Sequence, residues 1–191
     1  MSGGGFHVHG PHDHEVEHAA QHGGDSFSSK VALTTAILAT VGALFAYMGG
    51  ATQANASLYK NNAAIKKTEA SNQWNYYQAK SSKQNLAEMG VQLVEGARAE
   101  GFRAEVERYK KEKAEIKAAA EALEAESTDW DRKSDGQMHL HHRWAQATTA
   151  LQIAIALSAI ALITRKTWLQ KVVYGFSAVG LALGILALLH V

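Results

Sequence analysis

Three stretches of this 191-residue chain contain no Asp, Glu, Lys or Arg: residues 31–50, 145–164 and 172–190. At about 1.5 Å per residue, an unbroken helix over any of them reaches roughly 30 Å, the thickness of a bilayer's hydrocarbon core. A core helix of a soluble protein keeps a polar face, whereas these stretches are apolar nearly all round, so they are expected to cross a membrane. The overall composition hides this, because 47% hydrophobic residues would also suit a soluble protein. Charge is concentrated between the first two stretches, which enclose 15 of the 19 basic and 14 of the 18 acidic residues.

The chain divides accordingly. Residues 1–29 form a polar, His-rich tail with too little apolar surface to offset the entropy of ordering, and are expected to be disordered. They lack the basic start and early apolar run of a secretory signal peptide. Transmembrane helices are expected at 30–50, 144–164 and 172–191, the last two joined by a basic turn at 165–171. Residues 51–143 must leave one membrane face and return to it. Gly90, Gly96 and Gly101 lie near their midpoint, which predicts a fold-back there. The expected fold is therefore all-α: an integral membrane protein with three transmembrane helices and a long antiparallel, coiled-coil-like hairpin domain between the first and second.

The outgoing arm of that domain is rich in Asn and Gln, and Asn has poor helix propensity, so its order should depend on packing. Leu58 and Ile65, seven residues apart, and Trp74 and Tyr77, three apart, are its expected anchors. In the returning arm Phe102, Tyr109, Ile116 and Leu123 recur every seven residues with Val106 and Ala120 at the companion position, the pattern of a coiled-coil seam, broken by Lys113. Opposite charges four residues apart support this arm: Arg103/Glu107, Glu107/Lys111, Arg108/Glu112, Lys111/Glu115 and Lys117/Glu121. Thr128 and Asp131 have the spacing of a capping box, which predicts a fresh helix start.

The acidic His-rich tail, Lys30-Val31-Ala32-Leu33 opening the first span, the string Gln73-Trp74-Asn75-Tyr76-Tyr77-Gln78-Ala79-Lys80-Ser81 and the C-terminal apolar pair together resemble an uncharacterised bacterial membrane-protein family, domain of unknown function 4337. The resemblance covers nearly the whole chain, and the Trp-x-Tyr-Tyr-Gln-Ala-Lys string is its most specific part. It implies a bacterial inner-membrane protein and brings no catalytic residues.

Among chemical signals the tail stands first. His7, His9, His12, His14, His18 and His22, spaced among acidic residues, suit Zn, Ni or Cu, though any His-rich peptide binds such ions loosely. His139, His141 and His142 form a second group beside Trp144, where polar and aromatic residues commonly anchor a span. The chain has no cysteine, which excludes disulfides and thiolate chemistry. A net charge of +1 gives no basic excess for nucleic acid. No phosphate-binding loop, zinc-protease helix or hydrolase elbow occurs, so no enzyme is expected. Nor do the spans carry the acidic or basic residues that mark ion pathways, which leaves only a passive oligomeric pore lined by hydroxyls and amides.

Association remains. Gly42-x3-Ala46-x3-Gly50, Ala150-x3-Ala154-x3-Ser158 and Gly180-x3-Gly184 place small residues where helix backbones can approach closely. The expected function is a membrane-anchored, self-associating scaffold or structural protein; the alternatives are a metal-handling protein that uses the tail, and the pore. Its partners are membrane lipid, further copies of itself and a larger membrane complex. Arg165, Lys166 and Lys171 in a short turn signal the cytoplasm, which favours a periplasmic 51–143.

Overall fold

No proline follows Pro11, and long helices meet no break that their backbone cannot absorb. The computed structural model describes residues 26–189, which form three helices: α1 (Ser26–Leu93), α2 (Ala97–Thr164) and α3 (Thr167–Leu188). Two connections interrupt them. Gly96 has φ +67°, a left-handed conformation that glycine adopts without a Cβ penalty, and its carbonyl accepts the N–H groups of Ala99 at 3.0 Å and Glu100 at 3.3 Å. The second connection is Arg165 and Lys166 alone. Arg165, at φ 53°, closes α2 by donating its N–H to the Ala161 carbonyl, and Trp168 to Lys171 are already helical.

This architecture corrects the expected fold. No separate coiled-coil hairpin domain stands between the first and second spans, because among the described residues there are only three helices and 51–143 belong to the same two helices that carry those spans. The new start expected at Thr128 is also absent. Its hydroxyl donates to the Glu124 carbonyl one turn back, and α2 runs on through Ser127–Asp131.

The chain forms two compact units. The first comprises residues 26–50 and 140–189 and the second Ala51–His139. In the first, Leu38 of α1, Leu151 and Ala154 of α2 and Val173 of α3 make a buried cluster, with Val41, Phe45, Ile155 and Leu157 packed on it. Outward from that cluster point large apolar side chains, including Leu33, Ile37, Leu44, Ile163, Ile185 and Leu188. So much exposed apolar surface is unfavourable in water and favourable in lipid. The hydroxyls of Thr34, Thr40, Thr149 and Thr164 each donate to a carbonyl four residues back, so they carry no unmet hydrogen bond into hydrocarbon.

In the second unit α1 and α2 run in opposite directions over a narrow buried line. Ala56, Ala63, Ala70 and Ala87 come from α1, and Ala99, Val106, Ile116, Ala120 and Ser134 from α2.

Candidate functional site

In the first unit the small residues make room for large ones of the same chain. A Cβ on Gly180 would come within 2.7 Å of Leu151 Cδ2, and one on Gly184 would overlap the Phe45 ring. That ring also lies 5.2 Å from Trp144, whose Cβ would be 3.3 Å from a Cβ on Gly49. Gly42, Ala150, Ala154, Ser158, Gly180 and Gly184 are thus buried within one chain, whereas Ala46 and Gly50 are exposed. The four-residue spacing placed Gly50 on the packed face, but the buried glycine is Gly49.

A different period organises the second unit. Ala56, Ala63 and Ala70 recur every seven residues, and small side chains there let the helices approach until hydroxyls of α2 reach backbone oxygens of α1. Ser127 donates to the Ala63 carbonyl at 2.9 Å, and Ser134 to the Ala56 carbonyl at 2.8 Å. A helical carbonyl has a second lone pair to accept them. In the first unit, His141 Nδ1 lies 2.9 Å from the Gly49 carbonyl. A carbonyl can only accept, so Nδ1 carries the hydrogen there. Gly42, Gly49, Ala56, Ala63 and Ala70 are seven apart in the sequence, a small-residue period that runs beside the larger side chains.

Charges flank this seam with basic groups on α1 and acidic groups on α2. Lys60 pairs with Asp131 at 2.7 Å, Lys66 with Glu126 at 3.2 Å and Lys67 with Glu124 at 3.6 Å, while Lys80 pairs with Glu112. The aromatic string lies here as well. Trp74 Nε1 donates to Glu124 Oε1 at 3.3 Å, and the Lys80 ammonium lies over the Tyr76 and Tyr109 rings. Lys113 lies over Tyr77 and donates to Gln84. The Lys80 hydrogen bond holds the Glu112 carboxyl below its ordinary pKa, and Glu112, followed by Tyr76, raises that of Lys80.

Of the seam expected in α2, Ile116 and its companions Val106 and Ala120 are buried, whereas Phe102, Tyr109 and Leu123, with Trp74 and Tyr77 of α1, are half-buried. Phe102 covers Gly90, where an added Cβ would come within 2.9 Å of the ring. Leu58 and Ile65, expected to face α2, are 55% and 48% exposed. With Leu86, Met89 and Leu93, at 67%, 58% and 79%, they lie on the side of α1 away from the Ala56–Ala63–Ala70 line.

Among the described residues no group of three or more His, Cys, Asp or Glu side chains could hold a metal ion. His141 is turned to the Gly49 carbonyl, and His139 and His142 are exposed. The description as a His-rich metal binder therefore finds no support among the described residues, and the three-helix architecture removes that of a coiled-coil hairpin. The tail histidines, His7 to His22, lie outside the described residues.

Three helices long and apolar enough to cross a bilayer, with large side chains turned outward from their common core, define an integral membrane protein. Residues 27–190 match the family described as Domain of unknown function (DUF4337), and the chain belongs to that family. No curated protein and no solved structure matches it.

Proposed function

We propose that the protein is a non-catalytic, self-associating scaffold of the bacterial inner membrane, alone or within a larger membrane complex, with residues 51–143 in the periplasm. One observation carries the reading: five large apolar side chains, Leu58, Ile65, Leu86, Met89 and Leu93, are about half or more exposed in a unit whose charge and amide content belong in water. Water disfavours such a row, and a protein neighbour would cover it. Of the small residues of the spans, Gly180 and Gly184 are filled by Leu151 and Phe45 of the same chain, while Ala46 and Gly50 are exposed. Extraction into lipid nanodiscs followed by mass measurement should give more than one copy per particle. A single copy at every protein-to-lipid ratio overturns the scaffold.

The periplasmic assignment is supported by Arg165 and Lys166, which form the two-residue connection between spans, and by Lys171 in the first turns of α3; all three favour the cytoplasm. With no native cysteine, an Ala119→Cys variant offers one exposed thiol. An impermeant maleimide should label it in intact spheroplasts. Labelling only after permeabilisation reverses the orientation.

A further inference from the structure

Resting on the scaffold reading, we infer that its contact surface is the outward face of α1, and that the occupant is the same face of a second copy, parallel and in register. From Ala54 to Leu93, steps of alternately three and four residues pick out twelve positions, the spacing of one helix face. Every one is exposed and none carries a charge. The seven charged residues of 51–93 all fall elsewhere on the helix. The face lies opposite the Ala56–Ala63–Ala70 line, so packing against α2 leaves it uncovered. The exposed side of α2 differs, with Glu105, Lys111, Glu115, Lys117 and Glu121 along it.

Size and chemistry select the occupant. A strip about 60 Å long on a helix about 10 Å across covers on the order of 600 Å² per copy. That approaches the roughly 800 Å² per partner of a stable interface between soluble proteins. Membrane anchoring raises the effective concentration of one copy around another, which supplies much of the difference. A face without charge offers no complement to an acidic or basic partner, and it meets itself without like-charge repulsion.

Orientation follows from the anchor. Copies inserted in one bilayer with one topology send α1 out of it in the same direction and at the same residue, so two such faces meet parallel across a two-fold axis. Each position then faces itself. Asn61, Asn72 and Asn75 fall on the face, where each amide has both a donor and an acceptor for its twin. Amides at such positions favour the in-register pairing, because that pairing sets each of the three opposite its twin.

Single cysteines in the full-length chain in native membranes test this. Same-residue disulfides require Cα atoms about 4.4–6.8 Å apart. Under mild oxidation Asn61→Cys, Asn75→Cys and Ser82→Cys should form disulfide-linked dimers, while the exposed controls Gln53→Cys and Ala119→Cys should not. In cysteine-free protein the paired change Ile65→Glu and Leu86→Glu should weaken association at least about tenfold, with the helical circular dichroism unchanged. If wild type is oligomeric but the controls cross-link as well as the face, or the paired change leaves assembly intact, the interface is elsewhere and the scaffold stands. Cross-links from the face to a different protein overturn the second copy as occupant, and a monomeric wild type removes both readings.

Discussion

The two helical segments of the second unit are equal in length and opposite in chemistry. Residues 51–93 of α1 hold seven charged side chains and eleven Asn or Gln; residues 97–139 of α2 hold twenty charged side chains and a single Gln. Within α2, the pairs Glu105–Arg108, Glu107–Lys110, Arg108–Glu112, Lys117–Glu121 and Asp129–Lys133 support the helix locally. Within 51–93 of α1 the corresponding pair is Lys66–Glu69. One helix carries local support of its own, and the other draws its order from contact. That difference fits the alanine line that α1 presents to α2.

The comparison breaks first at the alanine line. Replacing Ala63 by Leu forces a large side chain where the Ser127 hydroxyl reaches the Ala63 carbonyl, and should destabilise the second unit by about 1–3 kcal/mol. Ala64→Leu, one residue along and exposed, should stay within about 0.5 kcal/mol of wild type. Ser134→Ala removes the bond to Ala56 without adding bulk and should cost about 0.5–1.5 kcal/mol. Backbone hydrogen exchange in nanodiscs reads all three. Equal exchange in Ala63→Leu and Ala64→Leu would mean that α1 does not depend on this seam.

How far the sequence revealed this depends on side-chain size. The membrane spans were legible because a helix stripped of charge for about twenty residues has no side suited to water. The fold-back near Gly96 was legible because a left-handed residue favours glycine. The seam was not. Large side chains at seven-residue spacing usually mark the buried face, yet Leu58 and Ile65 point outward while Ala56 and Ala63 are buried. Alanine wins where close approach gives interhelical hydrogen bonds that a larger side chain would prevent. The charged pairs were partly legible: Arg108–Glu112 and Lys117–Glu121 form at four residues, whereas Glu107 reaches Lys110 at three. Thr128 shows the limit of local motifs, because a hydroxyl that can cap a helix start can equally bond one turn back inside a helix.

The smallest effect is expected where the charge-poor helix meets the charge-rich one, at Lys80 and Glu112. The surrounding ionisable groups are Tyr76 and Lys83 from α1 and Arg108 and Tyr109 from α2. Glu112 has a folded pKa below its ordinary 4.5, so the unfolded chain takes up its proton first as pH falls. Its stabilisation is therefore present above 4.5 and is lost as pH drops through the lower folded value. Lys80 runs the other way, from an ordinary 10.5 to a higher folded value, so its contribution is present below 10.5 and is lost as pH rises through that folded value. Between these limits the pair should be insensitive to pH. Thermal unfolding of Glu112→Gln and wild type, followed by circular dichroism in nanodiscs, should show a small gap at neutral pH that closes as pH falls below the ordinary carboxylate value. A gap that persists in acid would mean that Glu112 acts through packing, and the two helices would then be joined here by shape and not by charge.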